Sequence, residues 1–174
     1  MTFRFCDESE YGFGWIAEER MARTSHALVV DGRVWVIDAV LWPDALDRAR
    51  ELGEPAGVIQ LLDRHNRDCA AVAAQLGVPH LRVPDRVDAQ LEIVRVVNMR
   101  FWRERALWWP EHRVLVIADA LGTVGYFTWG RKRIGVHPVL RLRPPRKLAR
   151  LGARVILVGH GEGITTDASA ASGT

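Results

Sequence analysis

Lysine is nearly absent from this chain: only Lys132 and Lys147 occur, so almost all of its 24 basic residues are arginines, spread along the whole length. Cysteine is as scarce, with Cys6 and Cys69 far apart, which excludes a disulfide framework. No apolar run is long enough to span a bilayer, and Met1 to Asp7 lacks the continuous apolar stretch of a secretory leader. There is no Gly-x-Ser-x-Gly elbow, P-loop, dinucleotide fingerprint, helix-turn-helix or RNP signature, and no repeat at a fixed period. These absences predict a cytoplasmic protein without a membrane partner. The net charge of +3 and the basic clusters Arg131-Lys132-Arg133 and Arg141 to Lys147 read as a solvated face rather than a nucleic-acid footprint.

What is present is a core-forming composition, 48% hydrophobic and 26% charged, over 174 residues. That predicts one domain over residues 1–166, followed by a small, polar tail at 167–174 that frays. Ala27 to Val30 and Arg33 to Asp38 flank Asp31-Gly32, a hairpin signal. Pro43 starts a helix that stops at Gly53, and Gly57 to Leu62 reads as a buried strand. A polar turn leads into an alanine-rich helix from Asp68 to Leu76, with Asp68 placed to cap it. Further strands are expected over 80–84, 91–97, 105–109, 113–118 and 154–158, with a short helix at 145–151.

Four of these strands end on polar residues: Asp38, the Asp63 to Asp68 turn, Asp119, and His160 within Gly159-His160-Gly161. Strand ends are where α/β folds gather their sites, so the four are expected to share one edge. The aromatic groups Phe101-Trp102, Trp108-Trp109 and Tyr126 to Trp129 read as core or interface, with Tyr126 and Trp129 near enough to Asp119 to wall a pocket.

The order of these landmarks resembles the metallo-β-lactamase superfamily. The strand-and-turn Leu61 to Cys69 stands where that family has His-x-His-x-Asp-His, here reading Arg64-His65-Asn66-Arg67-Asp68-Cys69. Val114 to Leu121 is similar to its strand ending Gly-Asp-x-Leu, and Gly159-His160-Gly161 to its terminal Gly-His-Gly. The resemblance implies an α+β fold, a four-layer αβ/βα sandwich. It also implies a dinuclear centre whose three-histidine site is replaced here by Arg64, Asn66 and Arg100. A guanidinium is always protonated and presents only donors, so that site is lost. The second site would fall on Asp68, Cys69, Asp119 and His160, two carboxylates, a thiolate and an imidazole, which is an acceptable zinc set. His65 falls between ligand positions, and a one-residue shift makes it a ligand.

The implied function is a catalytically silent or atypical member without cofactor, with Arg64 or Arg100 paired to Asp68 or Asp119 in place of a metal. The alternative is a mononuclear zinc hydrolase of an ester, thioester or amide. A third reading, from another class, is an interaction module whose tryptophan-rich surface meets a small molecule, a protein or a second copy of the chain. Asp38, His65, Tyr126 and Trp129 complete the candidate pocket.

Overall fold

The computed structural model describes residues 1–65, 67–130 and 133–166. Asn66 and the tail expected at 167–174 lie outside the described residues. The chain opens with a hairpin, β1 (Phe3–Ser9) and β2 (Gly12–Ala17), which residue alternation does not reveal because β2 is buried along its whole length and carries Gly12 and Gly14. Gly12 is required there: a Cβ on it would lie 2.0 Å from the carbonyl oxygen of Ala27 in the neighbouring strand. β3 (Thr24–Val30) and β4 (Arg33–Ile37) form the expected hairpin, with Asp31 and Gly32 both at positive φ. α1 (Pro43–Leu52), β5 (Glu54–Gln60), α2 (Cys69–Leu76) and β6 (His80–Arg82) follow. Together these strands make a six-stranded sheet in the order β1-β2-β3-β4-β5-β6, whose pairs β4/β5 and β5/β6 are parallel.

A second sheet runs β13-β12-β9-β8-β7, built from β7 (Glu92–Met99), β8 (Trp102–Trp109), β9 (Val114–Ile117), β12 (Val155–Val158) and β13 (Ile164–Thr165). Between β9 and β12 lie a two-stranded ribbon of β10 (Leu121–Gly122) and β11 (Gly135–Val136), the short helix α3 (Gly125–Thr128), and α4 (Arg146–Arg150). Period-two alternation assigns the faces of the first sheet. Val34, Val36, Ala27 and Val58 pack with Ala45, Leu46, Ala49, Val72 and Ala73 of α1 and α2. Trp35, Ile37, Leu28 and Ile59 belong to the other cluster, shared with Leu107, Leu115 and Ile117 of the second sheet and with Leu148 of α4. The result is helices, sheet, sheet, helix: a four-layer sandwich.

The two sheets are stitched at one edge. Gly159, just past β12, accepts from the backbone of Thr24, and Arg23 and His160 form an isolated antiparallel bridge. Leu62, just past β5, bridges to Glu104 of β8. The C-terminal ends of β4, β5, β9 and β12 therefore converge, as the four polar landmarks require.

Candidate metal centre

Asp119 follows β9 and His160 follows β12, and because these strands are parallel neighbours their C-terminal residues emerge side by side. The His160 Nε2 lies 3.0 Å from Asp119 Oδ1. From the turn after β5, His65 brings its Nε2 to 2.6 Å from the same oxygen. One donor atom from each of the three side chains falls within 4.8 Å of the other two. The side chains are 12%, 13% and 9% exposed for His65, Asp119 and His160, so the cluster is largely shielded from water.

Second contacts fix how these groups can be used. The Nδ1 of His160 is 2.8 Å from the carbonyl oxygen of Met21, which only accepts, so Nδ1 carries the hydrogen. In neutral His160 the Nε2 lone pair then faces a carboxylate oxygen, a contact that needs a positive partner: a second proton or a cation. Burial raises the pKa of Asp119, but the imidazoles of His160 and His65 outweigh it and hold the carboxyl well below its ordinary range. Burial, followed by the charge of Arg67, pushes His65 down and favours neutral imidazole, against the opposing pull of Asp119. Its buried Nδ1 has no partner among the described residues.

Two residues that motif reasoning passed over complete the floor. Glu104, wholly buried on β8, accepts from the backbone N–H groups of Asp119 at 2.9 Å and Ala120 at 2.8 Å, and from the indole N–H of Trp102 at 2.9 Å. Burial pushes its carboxyl up to about 8, with the Asp119 charge adding to the effect and these donors opposing it. The signal was available in strand phase: Trp102, Glu104, Ala106 and Trp108 share one face, so Glu104 had to be buried. Arg67 spans the sheet seam, donating to the carbonyls of Thr24 at 2.6 Å, Asp38 at 2.9 Å and Gly159 at 2.8 Å. No sequence pattern marks it, since it occupies a non-ligand position of the motif.

The remaining candidates fall elsewhere. Of the expected set Asp68, Cys69, Asp119 and His160, the last two come together and the first two do not join them. The exposed Asp68 carboxylate accepts from the backbone of Leu41 at 2.9 Å, so it ties the loop after β4 to the start of α2 and makes no side-chain cap of its own helix. Cys69 is fully buried between α2 and the first sheet, its Sγ 3.8 Å from the Ala39 carbonyl, and burial followed by the Asp38 charge pushes the thiol up to about 12. A thiol there is a packing group, not a thiolate ligand.

Neither Arg64 nor Arg100 pairs with Asp68 or Asp119 among the described residues. Arg64 lies over the ring of Trp102 at 4.0 Å, and Arg100 is exposed in the turn between β7 and β8. The guanidinium that does enter the floor is that of Arg67, and its partners are carbonyls. Asp38 is 2% exposed, at φ 48°, and its carboxylate accepts from Leu61 N at 2.9 Å, so it locks strand ends and does not line a pocket. Tyr126 meets His137, its hydroxyl 3.4 Å from Nε2, while Phe127 beside it stacks on His160. Trp129 points outward, 72% exposed, and lines a separate cavity of about 380 Å³ with Phe127 and Arg141.

The comparisons agree with this architecture. No family model matches the chain, and no curated protein matches it. Solved structures do. The chain is similar to a metallo-beta-lactamase from Pontibacter korlensis, with a TM-score of 0.70 at 11% identity over 94% of both chains. It is similar to DIM-1 metallo-beta-lactamase exposed to ceftazidime, with a TM-score of 0.66 at 13% identity over 94% of this chain and 91% of that one. The mono-zinc form of FIM-1 from Pseudomonas aeruginosa gives 0.67 at 9% identity, covering 95% of this chain and 90% of that one. The fold is that of the metallo-β-lactamases.

Proposed function

We propose that this chain is a divergent metallo-β-lactamase-superfamily protein whose centre is reduced to one cation site, formed by His65, Asp119 and His160 and suited to a single zinc ion. The observation that carries this reading is the commitment of His160 Nδ1 to Met21, which aims an Nε2 lone pair at Asp119 Oδ1 across 3.0 Å. Ligands about 2.0 Å from a tetrahedral ion stand roughly 3.3 Å apart, so Asp119 would have to draw back by about 0.3 Å from His160 and about 0.7 Å from His65. Two imidazoles and a carboxylate leave one position free, the count found in catalytic rather than structural zinc sites. When bound, such an ion supplies Lewis acidity, polarising a carbonyl and acidifying water, and the reaction class this serves is hydrolysis of a small ester, thioester or amide. The protein's own part is positional: Glu104 fixes the main chain at Asp119, and Met21 sets the His160 tautomer.

A second reading, the catalytically silent member, draws on Arg67. Its guanidinium already joins β3, the end of β4 and the end of β12, the seam a metal would otherwise brace. Metal analysis and zinc titration of the wild type, His160→Ala and Asp119→Ala separate the two. The first reading expects about one zinc per chain in the wild type, lost in both variants, with chelator-sensitive hydrolysis of a small ester. Absence of stoichiometric zinc from the wild type, with no ester turnover, leaves the silent reading.

A further inference from the structure

Between Asp119 and Glu162 the sequence contains no acidic residue, yet it carries nine arginines and lysines. Elsewhere seven of the fifteen arginines are paired with carboxylates, as Arg4 is with Glu162, Arg48 with Glu8 and Arg103 with Asp63. None of the described arginines and lysines of this stretch forms an ion pair, and Arg143, Arg146 and Lys147 are exposed. The same segment exposes apolar side chains that a solvated face does not need: Leu142 is 95% exposed, Trp129 72% and Val139 65%.

These residues are contiguous. The Arg141 guanidinium lies 4.0 Å over the Trp129 ring and donates to the Phe127 carbonyl at 3.1 Å, which fixes the tryptophan against the loop that carries Val139 and Leu142. Arg141 and Arg143 flank Leu142 directly. Beside them opens an apolar groove of about 290 Å³, with Pro144, Pro145 and Arg146 among its lining residues.

We infer that this face is a docking surface for an anionic lipid bilayer, with Val139, Leu142 and Trp129 entering the boundary between headgroups and acyl chains while the arginines hold lipid phosphates. Charge complementarity selects the partner's sign: unpaired cations with no interspersed acid fit a negative surface, each adding roughly fivefold to binding near an anionic leaflet. The aliphatic tips decide between lipid and nucleic acid, because Leu142 and Val139 offer nothing for a base to stack on, whereas exposed aliphatics flanking a tryptophan are the pattern of interfacial insertion. No described helix is long and apolar enough to cross a membrane, and lying on a surface does not require one.

Cosedimentation with phosphatidylcholine vesicles, alone and with about 30% phosphatidylglycerol, tests this directly. The full chain is expected to bind the anionic vesicles and not the neutral ones. Leu142→Asp with Val139→Asp, and separately Arg143→Glu with Arg146→Glu, are each expected to weaken binding roughly tenfold or more. All four sites are exposed, and circular dichroism melts check that each variant stays folded. Three results overturn the inference: no binding to anionic vesicles; binding that the two aspartates leave unchanged; or displacement from vesicles by a single-stranded oligonucleotide that the aspartate variant still binds. The last assigns the face to nucleic acid.

Discussion

Glu104 places one carboxylate oxygen within 2.9 Å of the backbone nitrogens of both Asp119 and Ala120, so a fully buried acid holds the loop that carries the centre's shared carboxylate. Its pKa rises from an ordinary 4.5 to about 8, with burial as the main cause. A folded-state pKa raised above the unfolded value contributes stability that is fully present below about 4.5 and lost as pH climbs through about 8. Unfolding free energy is therefore expected to fall across that window, by at most about 1.4 kcal/mol per pH unit from this group. Glu104→Gln removes the slope but sets an amide donor against the Trp102 indole or the two backbone donors, and is less stable at pH 5. Urea denaturation of both proteins at several pH values reads both effects; a wild-type profile as flat as the variant's contradicts the assignment.

Arg67 should matter more for stability than any exposed arginine. Its three carbonyl bonds join segments remote in sequence, and bonds from a charged donor are worth about 1.5–3 kcal/mol each before its own desolvation is counted. Arg67→Met is expected to destabilise by roughly 2–4 kcal/mol and Arg67→Lys by somewhat less, since one ammonium cannot span all three acceptors. Arg64→Ala, which loses a cation–π contact at the surface, should cost only about 0.5–1 kcal/mol. Chemical denaturation that ranks Arg64→Ala above Arg67→Met would contradict this.

Cys69 and His65 should behave oppositely to the order of the resemblance's motif. Cys69 is sealed in the helix–sheet core with its thiol pushed up to about 12, so a thiol reagent should not modify it without unfolding. Cys69→Ala should leave zinc stoichiometry intact at a stability loss of about 1 kcal/mol. His65→Ala should abolish zinc retention with the fold preserved. Zinc lost from Cys69→Ala and kept in His65→Ala would return the site to the motif positions.

This split shows what the sequence could carry. The landmarks Asp38, Asp119 and His160 were legible because each ends an apolar run, and strand ends in this topology have one destination. The Asp31-Gly32 hairpin was legible for a local reason, its positive-φ turn. The turn from Asp63 to Asp68 was not, because one residue of slack in a loop exchanges which side chain points inward, and nothing periodic pins it. That slack brings His65 to Asp119 and leaves Asp68 to tie down Leu41. The β1–β2 hairpin was missed for a different reason: β2 is buried on both faces, so alternation carries no signal there.

Asp119→Asn distinguishes a cation-held centre from a proton-held one. The amide keeps the side chain's shape, and its oxygen can still accept from His65 Nε2, now 2.6 Å away, but the negative charge is gone. If the contact between His160 Nε2 and Asp119 Oδ1 is completed by a metal, the metal-free protein loses little from the change, within about 1 kcal/mol, while zinc affinity falls by two orders of magnitude or about 2.7 kcal/mol. If a second proton on His160 completes it, the change strands an imidazolium among buried groups and costs the metal-free protein about 3–5 kcal/mol, with no zinc affinity to lose. Urea denaturation in chelator and zinc titration by calorimetry, run on the same preparations, place the variant in one pattern or the other. In either case the Nδ1–H of His160 stays on the Met21 carbonyl, so the two patterns differ only in what stands between Nε2 and Asp119.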